Sequence, residues 1–255
     1  MKKRTLLIGL MVVFMFGLTG NDLFAQSKNL AKVYFIKVKN GESGAFQTAL
    51  KQHAQWRMEN GDPWSWNVYE VVNGKNMGDF IIRSGGHSWA DFDSYQDFNA
   101  KGSAEFGKNV SPYIAKITST ISANDTTLVN WYPNNNDVNL VQVYMYKLKP
   151  GHGADFYKAI SEYGKAIKKE NRKDYYGVIW TVNGGASELI AELVFPYKNW
   201  AEMEGPKEKW RDFTKRVLGE EKAKKVSEEF MNSYSDVHGF IVHRRKDLSV
   251  TKKGM

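Results

Sequence analysis

None of the 255 positions is a cysteine. That excludes a disulfide-stapled scaffold, a lipoprotein joined through an N-terminal Cys, and a cysteine nucleophile. There is no Walker phosphate loop and no Gly-x-Ser-x-Gly stretch, which argues against phosphoryl transfer and serine hydrolysis. In "PGHGADF", Gly151 and Gly153 stand where a dinucleotide fingerprint would have glycines, but Phe156 fills the third glycine position, so the stretch is a tight turn. The five histidines show no His-x-His spacing. His238 and His243 are separated by an odd interval near a strand and face opposite ways. His87, Asp91 and Asp93 fit a helix start, whose first turn favours carboxylates without any metal. No metal site is expected.

A compact basic face is missing too. The formal charge is +8, but residues 1–25 hold three bases and one acid, leaving +6 without them. Residues 244–255 carry Arg244, Arg245, Lys246, Lys252 and Lys253 against Asp247, a further +4. The body is near +2, which does not suit a nucleic-acid partner. The stretch 247–255 is expected as a solvated basic tail.

Beyond residue 18 there is no long apolar run. The N-terminus itself has Lys2, Lys3 and Arg4, an apolar stretch from Leu6 to Leu18, and a small residue at Ala25. This is the order of a secretory signal, and the apolar part is shorter than the roughly 20 residues a spanning helix needs. Residues 1–25 are expected to be removed, leaving a chain with no stable membrane insertion in a bacterial periplasm or outside the cell.

What is present is a phrase written twice. "VYFIKVKNG" from Val33 and "VYMYKLKPG" from Val143 share five of nine residues at a spacing of 110. The same spacing relates Phe46 to Phe156, Ala49 to Ala159, and Val72-Asn73-Gly74 to Val182-Asn183-Gly184. Such a period is too long for a solenoid and suits a duplicated domain. Each copy starts with a strand apolar on both faces. A helix follows, marked in the first copy by Phe46, Ala49, Leu50, His53 and Ala54 and in the second by Phe156, Ala159, Ile160, Tyr163 and Ile167. Two strands then flank Asn-Gly, and Trp89 and Trp200 open short helical stretches. A second helix is expected over residues 110–121, with Ser111 and Pro112 at its start, and over 226–237 in the second copy. Last strands close the copies at 127–132 and 239–244. The division is 26–133, a linker at 134–137, and 138–246.

Strand, helix, strand, strand, helix, strand is the split βαβ order, so the class is α+β with two tandem ferredoxin-like repeats. Element order and duplication resemble the dimeric α+β barrel superfamily, with the dimer fused into one chain. That group includes antibiotic-biosynthesis-type monooxygenases, NIPSNAP-like proteins, and the chlorite dismutase and dye-decolorising peroxidase haem proteins. The resemblance implies a barrel of two sheets and a ligand or haem between the sheet and the helices of one unit. In the haem branch a helix-borne histidine holds iron. The second repeat, where chlorite dismutases keep that ligand, offers Tyr163 instead.

The candidate ligand-binding residues are His53, Trp66 and Glu70. His53 lies on the sheet-facing stripe of its helix, where an imidazole can anchor a ligand, act as a base or ligate a metal. "DPWSWNVYEV" puts Trp66 and Glu70 on one strand face, an aromatic wall with one acid. The second copy exchanges these for Tyr163, Tyr176 and Trp180, so the site is expected in the first. The expected function is binding of a small apolar or aromatic molecule. A cofactor-free monooxygenase, a haem protein and an interaction module without ligand stay open, as does a homo-oligomer.

Overall fold

The computed structural model describes residues 28–184 and 189–251; the expected leader lies outside them. The first half runs β1 (Leu30–Val38), α1 (Ser43–Glu59), β2 (Asn67–Asn73), β3 (Phe80–His87), α2 (Trp89–Ser94), α3 (Gln96–Asn109) and β4 (Ile114–Asn130). The second runs β5 (Leu140–Leu148), α4 (Gly153–Lys169), β6 (Tyr176–Asn183), β7 (Ile190–Tyr197), α5 (Trp210–Leu218), α6 (Glu220–Asn232) and β8 (Tyr234–Arg244). A short 3-10 turn at Trp200–Glu204 stands where α2 stands in the first half.

All pairings are antiparallel. The strand order is β4-β1-β3-β2 in the first half and β8-β5-β7-β6 in the second, and the β2–β8 and β4–β6 seams close one eight-stranded barrel. The repeated phrase is the central strand of each half: Val33 lies between Arg83 and Thr120, and Val143 between Val194 and Phe240. One face of each phrase packs under helices, in two cores built around Phe46 and Phe80 and around Phe156 and Phe213. The other face lines the barrel, where Val71, Val141, Val143, Val194 and Val242 form a third core shared by both halves.

The Asn-Gly pairs serve these seams as well as their turns. Gly74 has φ 109°, and a Cβ there would lie 2.7 Å from the Phe240 Cβ of the other half. Gly184 has φ 117°, and its Cβ would lie 2.6 Å from the Ser119 carbonyl oxygen. Only glycine permits both the positive φ and this approach.

Two expectations are corrected. The helix expected over 110–121 is not there. The helix is α3, it ends at Asn109, Ser111–Tyr113 is a single 3-10 turn, and Ile114 onward is strand. Ile117, Thr118, Thr120 and Ile121 are β-branched and prefer extended backbone, and Ile117 and Ile121 share a face at period two as well as at helical spacing. Tyr234 and Val237 likewise belong to β8 and not to α6. The tail expected as solvated from 247 is part of the fold as far as Val250. Leu248 is 2% and Val250 5% exposed, both packed into the first half's core. Val250 exchanges two 2.8 Å backbone hydrogen bonds with Trp66.

Candidate functional site

α1 lies over the sheet of the first half with Phe46, Ala49, Leu50, His53 and Ala54 buried. One turn beyond His53, Arg57 shares that stripe. The helix ends at Glu59, and Gly61, at φ 72°, turns the chain so that Asp62 points back beneath it. The Asp62 side chain is wholly buried and ion-paired to Arg57, Oδ2 accepting from Nη1 at 2.6 Å. The same oxygen accepts from the Trp66 indole at 3.1 Å and the Tyr95 hydroxyl at 3.2 Å, and Oδ1 caps the Trp64 amide at 2.8 Å. Arg57 also donates from Nη1 to the Tyr95 hydroxyl at 2.9 Å and sits 5.2 Å from the Trp66 ring. Around this pair Trp64 is sandwiched between Tyr95, at 3.8 Å, and His87, at 3.7 Å. Removing one member of such a buried pair costs about 3–5 kcal/mol.

His53 is 3% exposed. Its Nε2 accepts from Arg57 Nε at 2.7 Å, which puts the ring proton on Nδ1, in a short hydrogen bond with Glu105 Oε2 on α3. Glu105 Oε1 accepts from Asn109 at 2.7 Å. Burial first, then the Arg57 cation, pulls the His53 pKa below its ordinary value, against the opposing pull of Glu105. The imidazole is therefore neutral at pH 7, with both ring nitrogens engaged. Burial also raises the Tyr95 pKa to about 12, so this phenol stays a donor.

Between α1, α3 and the sheet lies a cavity of ≈160 Å³. Its walls include Tyr34, Leu50, Trp66, Val68, Phe106 and Val250, with His53 and Arg57 at one end and Asn99, Ser103 and Ser111 on the α3 side. An apolar cavity of ~150 Å³ takes one benzene, so the space suits a single ring. Its wall carries one cation, Arg57, backed by the carboxylates Asp62 and Glu105, an environment that disfavours a further anion. The structure thus brings His53 and Trp66 to one cavity. Glu70 lies on the same side of β2 but outside the wall, 2.7 Å from Arg245, which Gln47 also holds. Arg57, Asp62, Tyr95 and Glu105 complete the site and were not singled out from the sequence. The usable signals were Arg57 one turn after His53 and the Gly-Asp-Pro turn that follows α1.

The second half has a cavity of ≈280 Å³ in the corresponding place, lined by Tyr146, Tyr163, Tyr176, Trp210, Phe230 and Asp174 among others. Asp174 is ion-paired to Arg172. Trp180, the counterpart of Glu70, again lies outside the wall and donates to Asp125 at 3.0 Å. Neither cavity fits haem: in the first, His53 has no free ring nitrogen and a single-ring space does not take a macrocycle, and the second wall offers no histidine. Among the described residues, no three of His, Cys, Asp or Glu are grouped to hold a metal ion. Asp91 stands in the first turn of α2, as expected of a carboxylate at a helix start, and forms a capping box with Ser88.

Two helix-covered half-sheets closing one barrel, each with a cavity beneath its helices, decide the architecture. The chain has the dimeric α+β barrel fold. Solved structures share it: a protein from Fusobacterium nucleatum provisionally named a monooxygenase (TM-score 0.55, 13% identity, 90% of this chain and 97% of that one), and an anthrone oxidase-like protein (0.55, 11%, 89% and 96%). A mutant chlorite dismutase from Candidatus Nitrospira defluvii is also similar (0.53, 7%, 87% and 93%). At these identities the likeness is one of fold. No family model and no curated protein matches the chain.

Proposed function

We propose that this is an exported binding protein for a small, neutral, largely aromatic molecule, held in the first half's cavity between α1, α3 and the sheet. The observation that carries the reading is the closed hydrogen-bond network behind a largely apolar wall. His53, Arg57 and Asp62 satisfy one another and orient Trp66, so they shape the space without presenting a free base. A cofactor-free oxygenase would need a group able to take a proton from its substrate, and His53 has both nitrogens engaged. The signal-like order of residues 1–25 supports export.

Calorimetric titration with p-cresol tests the reading. One molecule is expected to bind per chain, with at least tenfold weaker binding in Ser103→Phe, which places a ring at the exposed α3 rim of the cavity and leaves the core packing alone. Equal affinity in the variant would take the ligand out of this cavity. Oxygen uptake during the titration would select the oxygenase instead.

A further inference from the structure

The barrel has a cavity of its own, unconnected with the helix-side pockets. It measures ≈320 Å³ and opens at the end where β1 and β5 finish. Its floor is the inward face of the strands, formed by Phe35, Val71, Ile81, Met145 and Phe240. Lys37, Lys116 and Asp79 stand at its rim with Asn76, Thr118 and His238. Lys37 and Lys116 are direct cross-strand partners on β1 and β4, on the same inward face. Two like charges so placed oppose folding. The second half avoids this: at the equivalent positions of β5 and β8, Lys147 lies opposite Asp236. Among the described residues, Asp79 is the only carboxylate in the wall and lies in the field of Lys37, and Lys116 has no ion-pair partner. The rim therefore has one cation in excess above an apolar floor.

We propose that this mouth is a second binding site, for a small amphipathic carboxylate whose tail lies on the Phe35–Met145–Phe240 floor and whose head bridges Lys37 and Lys116. Such a ligand relieves the like-charge pair and covers the inward faces that open to water there. The mouth favours an anion, whereas the first-half cavity, whose Arg57 is backed by Asp62 and Glu105, does not. The two sites therefore select different molecules.

Octanoate is the probe, and octylamine its control with the same tail and the opposite charge. In the full chain, octanoate is expected to raise Tm increasingly with concentration, as a ligand of the native state does, and octylamine is not. Lys116→Asp, which gives the first half the Lys–Asp pair of the second, is expected to weaken octanoate binding at least tenfold. Ser103→Phe leaves it unchanged. The proposal is overturned by no rise in Tm with octanoate, by an equal rise with octylamine, or by less than a tenfold loss in Lys116→Asp. Loss of octanoate binding in Ser103→Phe also overturns it, by moving the ligand to the first-half cavity, while p-cresol binding tests that cavity separately.

Discussion

Glu192 is a carboxyl group inside the barrel, opposite Met145 and Ile179, two members of the shared interior core. Burial lifts its pKa from the ordinary 4.5 to about 7, and the Arg83 guanidinium pulls the other way without cancelling the effect. A raised folded-state pKa means that the folded protein holds the proton more tightly than the unfolded chain. The stability gained from that proton is complete below about pH 4.5 and is lost as pH rises through about 7. At roughly 1.4 kcal/mol per pKa unit, the loss amounts to at most about 3.5 kcal/mol. Urea unfolding across pH 5–8 should therefore show falling stability. Glu192→Gln should flatten that fall and be the more stable protein at pH 8. An unchanged slope in the variant would place the titration in another group. His53 and Asp62 each accept a hydrogen bond from Arg57, so their polar atoms are satisfied where they are buried.

Helix α3 shows how one element can be necessary to the site and hard to see. Gly102 is buried where α3 crosses Arg57, and a Cβ there would come 3.1 Å from Arg57 Nη2. Arg57 is pinned by Asp62, Tyr95 and His53 and has little freedom to yield. Gly107, one and a half turns later, has open space around its missing Cβ. Helix propensity favours alanine by about 1 kcal/mol at both positions. Gly107→Ala should collect that stabilisation, whereas Gly102→Ala should be destabilised by about 1–3 kcal/mol through crowding. Thermal melts of the two variants should move in opposite directions, and equal shifts would mean that Arg57 relaxes. The same two glycines, with Asn99 and Ser103, explain why the stretch did not look helical in the sequence. Residues 110–121 carry the stronger helical pattern, because their isoleucines fit both periods. The doubled phrase and the α1 stripe were legible because burial on two faces, or on one helical face, leaves a repeat in the residue types. The site was legible only where a residue stands out on such a stripe, as His53 does. Asp62 and Tyr95 act through a turn and a crossing, and Glu70 is drawn away by Arg245 from a part of the chain 175 residues distant. No local pattern encodes those partners.

The two halves depend on each other through more than their seams. After β8 the chain leaves the second half and crosses β2 of the first. There Arg245 donates its amide to Val68 at 2.7 Å, Ser249 Oγ accepts from the Val68 amide at 3.0 Å, and Val250 pairs with Trp66. Leu248 and Val250 then form part of the first-half cavity wall. The end of the second repeat thus completes the cavity of the first, which ties the two halves together beyond their seams. Ending the chain at Arg244 removes two buried aliphatic side chains, about 1.5–3 kcal/mol each, and frees the edge of Trp66 and Val68. Against a total of about 5–15 kcal/mol for an ordinary domain, that loss is large without abolishing the barrel, whose seams do not involve these residues. The truncated protein should keep its strand content by circular dichroism. It should melt at a lower temperature, exchange the amides of Trp66 and Val68 rapidly with solvent, and bind p-cresol at least tenfold more weakly. Residues 28–133 alone should fare worse, because they leave the outer edges of β2 and β4 unpaired and the inward face of Val33, Phe35 and Val71 open to water. A truncated chain with full p-cresol affinity, or a soluble monomer of the first half, would show that the cavity is complete within one repeat.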